Sequence, residues 1–141
     1  MVARASVTLR NPEQGVGFGG KAVLFQVISS SIRVADMRLS ADIGVHPEEA
    51  VTPQELIVDV TLEVEPPATD RLSDAVDYTD IERKVRRLAS TRIGLIETFA
   101  RRLAEQCLDH PLVIEAEVRV KKPGALVNGL ASAHITLRKI G

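Results

Sequence analysis

Aromatic side chains are scarce in this 141-residue sequence: three Phe, one Tyr and no Trp, 3% in all. That removes the stacking platforms on which single-stranded nucleic acid is held. An excess of one charge is missing as well. Lys and Arg number 18 against 19 Asp and Glu, a formal net charge of −1. No helical patch of clustered Lys and Arg offers a phosphate track, so nucleic acid is not an expected partner. Cysteine occurs once, at Cys107, which excludes an intrachain disulfide and gives no sign of an oxidising compartment. A cytoplasmic location is the expectation. No apolar run approaches the roughly 20 residues of a membrane helix, and no signal-like apolar stretch opens the chain, so no membrane partner is expected either. His46, His110 and His134 are scattered, without an H-x-H pair, and Cys107 is solitary. A three-ligand metal site is not expected, and no cofactor is implied.

What is present is the composition of an ordinary folded protein, 45% hydrophobic and 26% charged, with a length that suits one core. Residues 1–30 read as an N-terminal extension. Two β-like stretches, Ser6–Arg10 and Ala22–Ile28, flank a loose segment from Asn11 to Gly20. Gly15, Gly17 and Gly20 satisfy G-x-G-x-x-G, but a dinucleotide cradle needs a helix opening at the third glycine, and Lys21–Ile28 is rich in β-formers. A flexible loop is the expectation there.

From Ser31 the pattern becomes regular, and residues 31–141 are expected to form the domain. A strand over Ile32–Leu39 leads through a turn at Gly44 into His46-Pro47-Glu48-Glu49. Over Gln54–Glu65, Leu56, Val58, Val60, Leu62 and Val64 alternate with Asp59, Thr61, Glu63 and Glu65, the period of a sheet with one buried face. Pro66 and Pro67 end it. Thr79-Asp80-Ile81-Glu82 matches a capping box, and Ile81, Val85 and Leu88 then share a helical face opposite Arg83, Lys84, Arg86 and Arg87. A second helix is expected from near Gly94, with Ile96, Phe99, Ala100, Leu103 and Cys107 as its buried stripe. Two strands follow: Leu112–Lys122, with Ile114, Ala116, Val118 and Val120 inward, and Ser132–Ile140, with Ala133, Ile135 and Leu137 alternating with polar residues. The order ββααββ predicts an α+β fold, an antiparallel sheet with two helices on one face. Its open edges predict a homo-oligomer joined edge to edge into a ring.

Several polar residues sit where such a pattern does not want them. Lys122 keeps the inward parity of Val118 and Val120. Burying an ammonium is costly, and desolvation is how a lysine becomes able to exchange protons near neutral pH; a lysine at a strand end can equally snorkel into water. Glu97 lies in the first turn of the second helix, where the dipole favours it; a carboxylate there can also accept two parallel N–H bonds from an amidine-like ring edge. Tyr78, the only tyrosine, precedes the first helix and can relay a proton or pack at the helix entrance. Glu48 and Glu49 are otherwise ordinary loop charges.

Taken together, four separated motifs in one order resemble dihydroneopterin aldolases. They are Ile43-Gly44-Val45 with Glu49 and Gln54, Leu72-Ser73-Asp74-Ala75-Val76-Asp77-Tyr78, Leu95-Ile96-Glu97, and Lys122-Pro123-Gly124-Ala125, within about residues 32–139. The resemblance implies the tunnelling fold (T-fold) and an octamer of two tetrameric rings with sites between subunits. It implies a pterin substrate, with Glu97 anchoring the amino-pyrimidine edge beside the Ile96 amide. Lys122 becomes the principal proton-transfer group, Tyr78 the residue of reprotonation, and Glu49 the carboxylate that holds the tail hydroxyls or their water. Val76 and Tyr78 enter from the neighbouring subunit. The protonated ring nitrogen is the electron sink, so neither an imine-forming lysine nor a metal is required.

The sequence departs from that pattern in residues 1–31, which precede the usual start, and in His46-Pro47, which replaces a stretch that often contains an aromatic. Neither touches Lys122, Glu97, Tyr78 or Glu49. Two other functions compete with the aldolase. One is epimerisation of dihydroneopterin triphosphate on the same fold, against which the Lys122-Pro123-Gly124-Ala125 motif weighs; the other is a catalytically silent pterin-binding module.

Overall fold

The structure, a computed structural model, describes residues 13–16, 22–50 and 52–141. Its strands are β1 (Glu13–Val16), β2 (Ala22–Phe25), β3 (Ser31–Ala41), β4 (Gln54–Val64), β5 (Val113–Lys122) and β6 (Ala131–Arg138), and its helices are α1 (Tyr78–Ala89) and α2 (Ile96–Leu108). Strands β3-β4-β5-β6 make one antiparallel sheet in chain order. The expected ββααββ arrangement is therefore the observed one. β3 and β6 are left as its edges.

The period-2 residues of β4 do what their spacing dictates. Leu56, Val58, Val60 and Leu62 are buried on the face that α1 and α2 cover, together with Ala116, Val118 and Val120 of β5. Ile81, Val85, Leu88, Phe99, Leu103 and Cys107 close the core from the helices, so Cys107 is the core residue its position predicts. A fully buried aliphatic or Phe side chain of this kind contributes about 1.5–3 kcal/mol. The opposite face is polar and paired across strands. Arg138 reaches Glu63 at 2.7 Å and Glu115 at 3.0 Å, and His134 lies 3.6 Å from Glu117. Asp59 is only 8% exposed on that face, because an irregularity in β3 between Val34 and Met37 folds over it. There Asp36, at φ 58°, donates its amide to Asp59 Oδ1 at 2.7 Å.

Three local expectations need correction. Ile114 does not point inward with Ala116: the β4–β5 register slips between Glu63 and Val64, so Ile114 is the extra residue of a bulge and Val113 takes the buried place. α1 is capped not by Thr79 but by Asp77, whose carboxylate accepts from the Thr79 amide at 2.9 Å and the Thr79 hydroxyl at 2.7 Å. Glu82 is thereby free to pair with Arg86 at 2.7 Å, one turn on. α2 starts at Ile96, near Gly94 and with Glu97 in its first turn as expected. Within the stretch read as a loop, Glu13–Val16 is a strand paired antiparallel with β2, Gly15 facing Val23. Main-chain pairing asks little of side chains, so glycine there did not prevent it. The stretch Ser6–Arg10, and Gly17 and Gly20 of the glycine pattern, lie outside the described residues.

Candidate active site

The site is assembled where two distant segments run side by side. After β3 the chain continues through Ile43, which forms a parallel bridge with Ile93. The Gly44 amide donates to the Ile93 carbonyl at 3.1 Å, and the Ile93 amide donates to the Asp42 carbonyl at 3.1 Å. Arg92 clamps the join, with its guanidinium 3.0 Å from Asp42 and also donating to the Gly44 carbonyl. A β-carbon added at Gly94 would lie 3.3 Å from the Val45 side chain, so Ile43-Gly44-Val45 packs directly on the segment that opens α2.

Gly44 is required for two reasons. Its φ of 136° is a conformation that side-chain-bearing residues rarely adopt, and a β-carbon there would fall on the side chain of Glu49. Glu49 is drawn back over the glycine by its own short helical turn, Pro47–Ala50. Its Oε1 accepts from the His46 amide at 3.1 Å, while its own amide donates to the His46 carbonyl at 2.9 Å. The other carboxylate oxygen, Oε2, receives the Lys122 ammonium. Lys122 is 9% exposed and in step with the fully buried Val118 and Val120. Parity alone left open a solvated strand-end lysine; the structure instead turns it inward onto a carboxylate. Pro123 then ends β5 in the turn Pro123–Ala125.

Lys122 and Glu49 form one wall of a cleft with about 190 Å³ of room, and the start of α2 forms another. Glu97 lies in that first turn, exposed, with no hydrogen bond or ion pair among the described residues. Leu95 gives no side-chain cap, and the first α2 amide with a carbonyl partner of this kind is that of Phe99, which donates to Leu95 at 3.1 Å. The Ile96 amide, at the first position of α2, has no partner within the helix, and Ile96 lines the cleft. Glu49, Glu97, Ile96 and Lys122 thus meet in one place.

Val76 and Tyr78 do not join them. Val76 sits with Leu62, Cys107 and Val113, at the beginning of β5, whereas Lys122 is its last residue. Nine strand steps of about 3.3 Å put roughly 30 Å between the two ends. Tyr78, at the start of α1, is 64% exposed. Within a single chain these residues cannot reach the cleft.

The FolB dihydroneopterin aldolase family model matches residues 32–138. The chain belongs to that family. Among its relatives, a dihydroneopterin triphosphate 2'-epimerase of Pseudomonas aeruginosa is 32% identical over 105 residues, covering 67% of this chain and 80% of the relative. A dihydroneopterin aldolase of Streptomyces coelicolor is 37% identical over 86 residues, covering 58% and 72%. The crystal structure of Escherichia coli dihydroneopterin aldolase in complex with neopterin superposes with a TM-score of 0.69 at 23% identity, over 77% of this chain and 98% of that one. At that identity the likeness speaks for the fold: two helices on a four-stranded antiparallel sheet, the T-fold. The chain is thus an enzyme of the FolB aldolase and epimerase family of the folate pathway.

In this FolB enzyme nothing in the sequence pointed to Arg92, whose partners lie 48 and 50 residues away, or to Ala131 as a wall of the cleft. The Glu49 carboxyl is held below its ordinary value of 4.5, chiefly by the Lys122 hydrogen bond and further by the His46 amide, against the opposing effect of burial. A carboxyl lowered in the folded state adds stability that is complete above its unfolded value and is lost as pH falls through the folded one. The difference in melting temperature between wild type and Glu49→Gln should therefore be full at neutral pH and shrink on acidification below the ordinary value. Thermal melts across that range check it, and a gap that stayed constant at acid pH would show that the pair does not hold this turn.

Proposed function

We propose that this chain is a dihydroneopterin aldolase acting on the unphosphorylated pterin, with Lys122 moving the proton and Glu97 holding the ring. The observation that carries the reading is the Lys122 ammonium seated on Glu49 in the same cleft as Glu97 and the Ile96 amide. Glu97 accepts the 2-amino and ring N–H groups of the pterin, fixing the ring so that its tail lies along Lys122 and Glu49. Loss of the 2'-hydroxyl proton toward the Lys122–Glu49 pair turns that carbon into a carbonyl, and the bond between C1' and C2' breaks. The bonding pair passes into the ring system, whose protonated nitrogen accepts it. Glycolaldehyde leaves, and protonation of the enol-like C1' gives 6-hydroxymethyl-7,8-dihydropterin. The ring itself is the electron sink, so Lys122 acts without forming an imine.

Tyr78 fits reprotonation, with Val76 beside it, if both come from a neighbouring copy. Their separation from Lys122 along β5 supports that arrangement, and the free edges β3 and β6 supply a way to build it. Joining β6 of one chain to β3 of the next would close a tetrameric ring, and two rings would form the octamer.

The Pseudomonas relative favours a second reading, epimerisation of the triphosphate, which shares the retro-aldol intermediate. Charge weighs against it. The charged side chains of the cleft are Glu49, Glu97 and Lys122, and the segment that would complete it carries Asp74 and Asp77 around Val76. An acidic site does not suit a tail bearing several phosphate charges. Incubating the purified protein with 7,8-dihydroneopterin and with its triphosphate, followed by product chromatography, tests the choice. Glycolaldehyde from the free pterin is expected. Epimerised triphosphate without glycolaldehyde would establish the second reading, and binding without any turnover would mark a silent module.

A further inference from the structure

One polar side chain of the cleft has no part in that chemistry. His46 lines it with Glu49, Glu97 and Lys122, while Val45, Leu95, Ile96, Ala125 and Ala131 offer only apolar side chains. The backbone of His46 is bonded to Glu49 twice, amide to carboxylate at 3.1 Å and carbonyl to amide at 2.9 Å. Pro47 follows, restricting the His46 backbone further. The residue is thus held at a set place beside the reactive pair. Its imidazole makes no hydrogen bond or ion pair among the described residues.

The ring edge and the tail hydroxyls of the substrate can be set against the polar side chains of the cleft. On the aldolase reading, on which this inference rests, Glu97 takes the ring edge and Lys122 with Glu49 takes the reacting hydroxyl. The C1' and terminal hydroxyls of the three-carbon tail are left; Tyr78 of the neighbouring copy serves C1', and His46 is the polar side chain among the described lining residues of this chain that remains for the terminal hydroxyl. We infer that His46 is a specificity-determining residue whose imidazole hydrogen-bonds the terminal hydroxyl of the pterin tail. A neutral imidazole carries one donor and one acceptor, as a primary hydroxyl does, so the pair is satisfied in either direction. The site then selects for a fully hydroxylated tail over one ending in methyl.

The test compares two 7,8-dihydropterins that differ only there: the trihydroxypropyl compound, and the 1',2'-dihydroxypropyl compound, whose terminal hydroxyl is replaced by hydrogen. Binding by calorimetry and cleavage kinetics are measured for wild type, His46→Phe and His46→Gln. One neutral hydrogen bond predicts that wild type prefers the hydroxylated tail by roughly 3- to 10-fold, mostly in binding and KM. His46→Phe should bring the ratio close to one while still cleaving both. His46→Gln, which keeps a neutral donor and acceptor, should retain part of the preference, as a merely structural role would not require. A wild-type preference that survives in both variants, or no preference in wild type, overturns the inference and leaves the aldolase reading standing. If wild type neither binds nor cleaves either compound, the aldolase reading falls and the inference with it.

Discussion

Replacing Glu97 with alanine should abolish pterin binding while leaving the folded protein nearly as stable as before. In the free chain this carboxylate is exposed and makes no hydrogen bond or ion pair among the described residues, so its removal breaks nothing in the fold. Substitutions of that kind usually stay within about 0.5 kcal/mol. With substrate bound the balance differs. Two ring N–H donors would be shut in the cleft without an acceptor, at about 1–3 kcal/mol each, so affinity should fall roughly 30-fold to 10⁴-fold. Glu97→Gln keeps a single acceptor without the charge and should fall between. Calorimetry against the pterin, alongside a thermal melt, separates the two quantities. Near-normal affinity in the alanine variant would remove Glu97 from the ring edge.

Much of this architecture was legible because the core obeys simple periods. The alternation of Leu56, Val58, Val60 and Leu62 is a property of consecutive side chains, and so is the parity that carries Lys122 inward after Val120. What stayed hidden depends on contacts between remote residues or on small register changes. Val113 and Ile114 are both β-branched and apolar, and only the slip against Glu63 and Val64 decides which one is buried. Asp77 and Thr79 are both good caps, and the geometry of the turn chooses the aspartate. The carboxylate partner of Lys122 lies 73 residues away, in a loop where Glu48 and Glu49 look equivalent. Gly44 breaks that tie: its open backbone leaves the space that the Glu49 side chain fills. The distance from Tyr78 to Lys122 was invisible too, since it follows from which end of β5 each residue meets.

Lys122→Ala should cost far more turnover than affinity. The ammonium is the one lysine nitrogen in the cleft, it is shielded from water, and it is already oriented by Glu49. General acid-base groups contribute roughly 10²- to 10⁴-fold, and the chemical step should fall by that order while Glu97 still holds the ring. Single-turnover kinetics with a separate binding measurement would read the split. Lys122→Arg should not restore the rate, because arginine keeps the positive charge and pairs with Glu49 but does not readily give up a proton. An arginine variant with near-normal turnover would reduce Lys122 to electrostatic support. The same variant also tests whether the site is shared. Lys122→Ala and Tyr78→Ala chains are each expected to be nearly inactive alone. If Tyr78 comes from the neighbour, mixed oligomers should regain activity, because about one site in four draws an intact Lys122 from one chain and an intact Tyr78 from the next. If mixing restored nothing while both variants still assembled, Tyr78 would have no place in the site that Lys122 serves.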